Sequence, residues 1–375
     1  MNNEKLISAR GVVGTTSIML DVIVALAPVL IWGVVAFGLR ALIVVLIASA
    51  SAVVAEALMR LILRRKMRFT DLGAIASGML LGLTLPASVP FWIPALGGAA
   101  ASVLRQIFGG GRCPFNSVAA SHVILHLVSA TAMGYFTAPF EWLPITNVVS
   151  AAPFRTPLEI IAGGAMPSQS ILELFLGKGG GAIGEISAVF IILGALYLMY
   201  RCVISWHVPV AFIGTAALLF GFLPQSVDVT GYIFGELLSG GIALAAVFAA
   251  TDFSATPVTA PAKLIFGAAC GALTVAIRFY TGSYDGAFAA LLAARLPLLA
   301  RLITAELAAH AAGSLFIKTA GLAKWYLAEY NMGFWQLFGW RAINYAIITV
   351  LEVALPYLLL RHRGIAKQFE RMCGK

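Results

Sequence analysis

Two short stretches of this chain hold the residue types that could do chemistry. The first, FGGGRCPFN at 108–116, sets three glycines, a cation and an asparagine at the end of an apolar run. Glycines such as Gly109 and Gly110 let a backbone take positive φ and approach a ligand closely, Arg112 can meet an anion, and Asn116 can cap a helix or bond a ligand. The same small residues also suit plain close packing at the end of a membrane helix. The second stretch, TDFSATPVT at 251–259, places Asp252 among Thr251, Ser254, Thr256 and Thr259 beside a proline-broken helix end. Such an oxygen-rich break suits Na⁺ or the polar edge of a bound cofactor, and a capped helix terminus calls for the same residues.

Other polar residues stand alone in apolar surroundings. Asp21, Glu56 and Glu352 lie in or beside apolar runs, where a carboxylate is costly unless paired, hydrated or protonated. Each is therefore a candidate for an ion path, although Glu56, one turn before Arg60, reads as half of a structural pair. His122 and His126 share a helix face at metal-ligand spacing, but no carboxylate is near in sequence, and a packed or hydrogen-bonded face is the better reading. Cys113, Cys202, Cys270 and Cys373 are scattered, with no paired spacing, so this chain alone builds no zinc or iron-sulfur site.

The elements that position these groups are apolar. Of 375 residues 61% are hydrophobic and only 11% charged, with mean hydropathy +0.94, against roughly 25% charged in soluble domains. The class is a polytopic all-α membrane protein. A net charge of +9 sits in short loops, where cations orient spans, so nucleic acid is excluded as a partner and the lipid bilayer takes its place. No cleavable signal pattern precedes the first apolar run, which reads as an anchor.

Runs near the roughly 20 residues of a bilayer crossing fall at 15–38, 41–60, 72–88, 91–108 and 118–138, and again at 186–204, 208–224, 231–250, 262–280 and 284–301. The cluster Arg60, Arg64, Arg65, Lys66 and Arg68 places the N-terminus and the FGGGRCPFN loop in the cytoplasm, and the Gly/Pro-rich loop 139–185 outside. Aligning 103–116 with 276–289 matches Arg105 with Arg278, Gly109 with Gly282 and Phe115 with Phe288. Five spans per copy is an odd number, so the second copy enters the membrane from the opposite side: an inverted repeat of 1–138 and 186–301. Residues 302–375 form an extension with a span near 340–360 and a basic tail.

The blocks SIMLDVIVALAPVLIWGVVAFGLRAL (17–42), GMLLGLTLPASVPFWIPALGG (78–98), FGGGRCPFN, GAIGEISA (181–188), WHVPV (206–210) and ATDFSATPVT (250–259) occur in a specific order. In this the first 300 residues or so resemble the RnfD/NqrB family: RnfD of the Rnf ion-translocating electron-transport complex and its relative NqrB of the sodium-pumping NADH:quinone reductase. The resemblance implies a ten-span fold similar to urea transporters, in the bacterial inner membrane. It also implies partner subunits carrying flavin and iron-sulfur centres, and coupled movement of Na⁺ or H⁺.

One departure matters most. The family joins FMN through its phosphate to a threonine closing an S/T-G-A-T motif just before the GxIGExSA block. Here the stretch reads Gly163, Gly164, Ala165, Met166, and methionine has no hydroxyl to take the phosphoester. Covalent FMN is not expected, and FMN or riboflavin, if present, is held non-covalently. Ser168 and Ser170 lie close by but outside the motif. Asn116 is followed by Ser117 and Val118 in place of Pro-Ala, and Arg295 falls in a span where the family tends to be neutral. Glu185 reads as a charge favoured at the start of the sixth span. Arg105, Arg112 and Arg278 either hold a flavin or lipid phosphate or snorkel at the interface. The expected function is a membrane subunit of an Rnf-like redox ion pump. The alternatives are a cofactor-free transporter or channel of the same fold, and a structural assembly subunit.

Overall fold

Long apolar runs become long helices, and several of the Pro- or Gly-rich stretches between them end one. The computed structural model describes residues 15–64, 72–108, 115–142, 144, 154–223, 228–252, 256–281 and 286–294. All belong to the first of two units, Met1–Arg295; the second, Leu296–Lys375, lies outside the described residues, and with it the expected span near 340–360 and Glu352.

The first half of the chain begins with helices α1 (Thr15–Phe37) and α2 (Leu39–Ile62), joined at Gly38. Gly38 takes φ +76° under the ring of Trp142, whose Nε1 donates to the Val35 carbonyl at 3.2 Å. Then come α3 (Gly73–Leu83), α4 (Trp92–Ile107), α5 (Ser117–Val128) and the short α6 (Ala130–Met133). Two small helices, α7 (Pro157–Ala162) and α8 (Ile171–Leu176), fill the expected outer loop. Reciprocal caps, Thr156 with Glu159 and Ser170 with Glu173, start both. The second half holds α9 (Ala188–Tyr200), α10 (His207–Phe222), α11 (Val229–Leu238), α12 (Ile242–Leu244, running into a π-helical turn Ala245–Ala249), α13 (Ala260–Thr281) and α14 (Ala287–Ala293). No strand occurs among the described residues.

Several helices are shorter than the spans expected from sequence. Among the described residues α1, α2 and α13 are each long and apolar enough to cross a membrane, and α11 with α12 makes a fourth bent by 59°. The expected span 72–88 stops at Leu83, because the following TLPASVP carries Pro86 and Pro90, which have no N–H for a helix. The span 118–138 stops at Val128, and 231–250 is interrupted at Ser239–Gly241. Glu185 does not start a helix: it precedes the Ser187 cap of α9 and accepts the Ala182 N–H at 3.4 Å. Exposed Leu20, Val24, Ile31, Leu46, Val54, Leu193 and Leu218 give the helices an apolar outer surface, as expected of a multi-pass membrane protein.

The core is close-packed through small residues. The two most extensive helix pairs are α2 with α4 and α10 with α13. In the first, a Cβ on Gly98 would stand 2.1 Å from the Ala48 carbonyl; in the second, a Cβ on Gly271 would stand 2.5 Å from that of Phe212. Gly98 and Gly271 lie in the same register that matches Arg105 with Arg278.

Candidate functional site

The two chemistry-bearing stretches of the sequence meet. Asn116, buried at the start of α5, uses both ends of its amide. Its Oδ1 accepts the Ala119 N–H at 2.9 Å, which caps the helix, while Nδ2 donates to the Ala249 carbonyl at 2.8 Å and to Asp252 Oδ2 at 3.3 Å. Ala249 ends the π-helical turn, a distortion that frees a carbonyl and recurs at functional positions. The neighbouring hydroxyls point to backbone. Thr251 Oγ1 donates to the Val247 carbonyl, and Thr256 Oγ1 donates to those of Ala250 at 2.9 Å and Asp252 at 2.7 Å. Thr251 and Thr256 therefore stabilise the break as caps. Gly109, Gly110, Arg112 and Ser254 lie outside the described residues; next to them, Phe115 packs on Phe108 at 5.3 Å.

A second junction lies further along α5. His122 is buried, its ring 4.8 Å from Phe288 of α14 and 5.3 Å from His126. Its Nδ1 is 3.1 Å from Thr84 Oγ1, where α3 ends. Thr84 gives its only hydroxyl proton to the Leu81 carbonyl at 2.7 Å, so Nδ1 carries the hydrogen and Thr84 accepts it. The His pair is the packed, hydrogen-bonded face expected from its surroundings, and no cluster of three or more His, Cys, Asp or Glu occurs among the described residues.

GAIGEISA docks on the end of α3 and the residues after it. The N–H groups of Gly184 and Ile183 donate to the carbonyls of Leu83 at 2.7 Å and Leu85 at 3.0 Å. Arg40, fully buried at the start of α2, covers the next ones: Nε donates to Ala87 O at 2.8 Å and Nη2 to Val89 O at 2.9 Å, with the guanidinium 4.7 Å over the ring of Phe91. Arg40 was not legible as a functional residue, because in sequence it is a loop cation between two spans.

The buried carboxylates are paired. Asp21 accepts Tyr197 Oη at 3.0 Å and Arg201 Nε at 3.1 Å. Glu56 binds Arg60, Arg105 and Gln106, so Arg105 is half of an ion pair across helices. Arg278, its register mate, pairs instead with Glu236 of α11 at 2.9 Å and donates to the Ser239 carbonyl at 3.0 Å. Glu236 escaped the sequence reading; a lone acid in YIFGELLSGG, next to Gly235 and shortly before Gly240 and Gly241, was the available signal.

The expected flavin-acceptor position lies after α7. Gly163 ends that helix with an ordinary φ of −78°, Gly164 turns the chain at φ +79°, and Ala165 and Met166 are exposed. The Met166 methyl comes 2.8 Å from where a Cβ on Gly231 would lie, in the first turn of α11. Asp228 already caps that turn, accepting the Gly231 N–H at 3.0 Å. A thioether beside a carboxylate fits neither a phosphoester bond nor a phosphate, so covalent FMN does not fit these residues. Ser170 is engaged with Glu173 at the start of α8.

The blocks in contact here belong to a known sequence pattern. Residues 8–307 match the model of the NQR2, RnfD, RnfE family. The chain is 37% identical over 277 residues to the D subunit of the Na⁺-translocating ferredoxin:NAD⁺ oxidoreductase complex of Acetobacterium woodii, covering 72% of this chain and 83% of that one. It is 32% identical over 287 residues to the D subunit of the proton-translocating ferredoxin:NAD⁺ oxidoreductase complex of Clostridium ljungdahlii, covering 72% and 84%. To the D subunit of the ion-translocating oxidoreductase complex of Stutzerimonas stutzeri it is 33% identical over 317 residues, covering 76% and 89%. With the match running through every block that builds the two junctions, the chain belongs to the NQR2, RnfD, RnfE family.

Proposed function

We propose that this chain is the membrane subunit of an Rnf-type complex, in the bacterial inner membrane with its N-terminus cytoplasmic, that couples electron transfer to movement of Na⁺ or H⁺ without covalent FMN of its own. The observation that carries the reading is the junction of Asn116 with Ala249 and Asp252, which joins two of the family's blocks across the fold. Met166 at the acceptor position supports the second part, because a phosphoester needs an oxygen there. Any FMN or riboflavin is then held non-covalently, and iron-sulfur and flavin centres reside in partner subunits. The fold is read as two inverted five-helix halves, 1–138 and 186–301, separated by 139–185. The shared register of Gly98 with Gly271, and the matching prominence of α2 on α4 and α10 on α13, support this.

The test is purification of the tagged full-length chain from its native membrane under mild conditions. The expected result is co-purification with iron- and flavin-bearing subunits, with any flavin on this chain lost on denaturation. A chain that purifies alone in every detergent tried, from cells that make no such partners, overturns the reading in favour of a free-standing transporter.

A further inference from the structure

A helix that breaks inside a membrane leaves carbonyl oxygens without helical donors, and such oxygens, above all beside a carboxylate, are what an alkali cation binds. Among the described residues the chain leaves its helix in this way at 239–241 and after α3, at 84–91, and at each of these breaks a buried arginine takes carbonyl oxygens. At 84–91 Arg40 donates to Ala87 O and Val89 O, with Ser88 O at 3.5 Å and Pro144 O at 3.4 Å. At 239–241 Arg278 donates to Glu236 O and Ser239 O and pairs with the Glu236 carboxylate. Neither is a surface cation: Arg40 is 2% and Arg278 4% exposed. They come from different helices, α2 and α13, so this is no single repeated contact.

A guanidinium carries the single positive charge of Na⁺ or K⁺, and its planar set of N–H donors satisfies several carbonyls at once. Unlike a bound ion, it cannot leave. We propose that Arg40 and Arg278 are tethered cations filling the alkali-cation positions of the two helix breaks, so that a break becomes a Na⁺ site only when its guanidinium is removed. The stronger latent site is at 239–241, where Glu236 adds a buried carboxylate to two carbonyls. If the chain serves an ion-translocating complex, as proposed above, the coupling ion then passes through neither break. Cation binding at the breaks is a property of this chain alone, and its absence would leave the proposed function standing.

The experiment is thermal unfolding of the full-length chain in lipid nanodiscs, in sodium, potassium or choline chloride at equal ionic strength and mildly alkaline pH. Wild type is expected to unfold at one temperature in all three salts. Arg278→Ala should unfold earlier in choline and regain roughly 5 °C, saturably, in Na⁺. Adding Glu236→Gln should abolish that gain, Arg40→Ala should show a smaller one, and methylguanidinium should restore both single variants. The proposal is overturned if Arg278→Ala responds to Na⁺ no more than wild type does. Where a variant does not fold on expression, it is extracted with Na⁺ or methylguanidinium present. Recovery by either supports the proposal, and failure of both agents with both variants overturns it.

Discussion

Asn116 and Asp252 are 136 residues apart in sequence and joined by one hydrogen bond, 3.3 Å from amide to carboxylate, while the same amide holds the Ala249 carbonyl at 2.8 Å. One side chain thus caps α5 and fixes the end of the π-helical turn. Asn116→Ala removes the cap and leaves a buried carbonyl short of a donor, so we expect a loss of about 2–3 kcal/mol. Asn116→Asp should cost more, since it sets a second carboxylate against Asp252. Combining Asn116→Ala with Asp252→Asn should give less than the sum of the two, with about 0.5–1.5 kcal/mol of coupling in a double-mutant cycle. Strict additivity would show that the contact carries no energy.

Wild-type protein should show no flavin fluorescence in a denaturing gel. Gly163→Ser with Met166→Thr should gain a fluorescent band when a flavin transferase is present, whereas Met166→Ala should stay dark. The structure favours the rebuilt loop: Gly163 has an ordinary φ, a Cβ there meets nothing closer than 3.4 Å, and Gly164 keeps the positive φ. The mutated loop also tests whether 139–185 is reachable from outside. A dark double mutant, beside a modified family member in the same cells, would mean that the Asp228-capped turn rejects the phosphate.

Helix contact through glycine predicts a contrast among three alanine variants. Gly98→Ala drives a methyl into the Ala48 carbonyl, and Gly271→Ala drives one into that of Phe212. Both should sharply lower the yield of monodisperse protein, because close-packed backbones cannot give way. Gly214→Ala, with nothing within 4 Å of the new carbon, should leave yield unchanged. Equal yields for all three would refute tight packing at these crossings.

Glu173 sits outside the spans, where the Ser170 backbone N–H, and then Lys178, hold its carboxyl below the usual carboxylate range. A carboxyl depressed in the folded state contributes stability above its unfolded value, about 4.3, and loses it as pH falls through the lower folded value. Hydrogen-exchange protection over 170–177, corrected for the pH dependence of intrinsic amide exchange, should therefore fall on acidification in wild type. Glu173→Gln should exchange faster at neutral pH and lose most of this acid response. An unchanged acid response in the variant would assign the effect to another group.

The His122 ring should be the Nδ1–H tautomer at neutral pH, since Thr84 has already given its proton to Leu81. ¹⁵N chemical shifts of labelled protein, assigned with His122→Gln, read this directly. Thr84→Val should remove the acceptor and shift the balance toward Nε2–H. A wild-type ring already protonated at Nε2 would mean that the Thr84 hydroxyl points the other way.

Much of this was legible from residue types alone. Whereas the stop of α3 at Leu83, short of the expected 88, came only with the structure, apolar runs dictate membrane helices, and a methionine at 166 offers no hydroxyl for a phosphoester. Those are local consequences of covalent chemistry and hydropathy, which need no knowledge of neighbours. Pairing within one helix was legible, as for Glu56 with Arg60 one turn on, but pairing between helices was not. Asp21 and Asp252 stand without a sequence neighbour to pair with, yet Asp21 meets Arg201 across 180 residues, Asp252 meets Asn116, and Glu56 is shared with Arg105 as well as Arg60. Arg105 and Arg278, matched by register, serve different acids on different helices, Glu56 on α2 and Glu236 on α11. Arg40, which falls between the expected spans 15–38 and 41–60, is instead buried and braces the stretch between α3 and α4. Which donor reaches which acceptor depends on how helices far apart in the chain cross and how closely their glycines let them approach, and only the tertiary structure decides that.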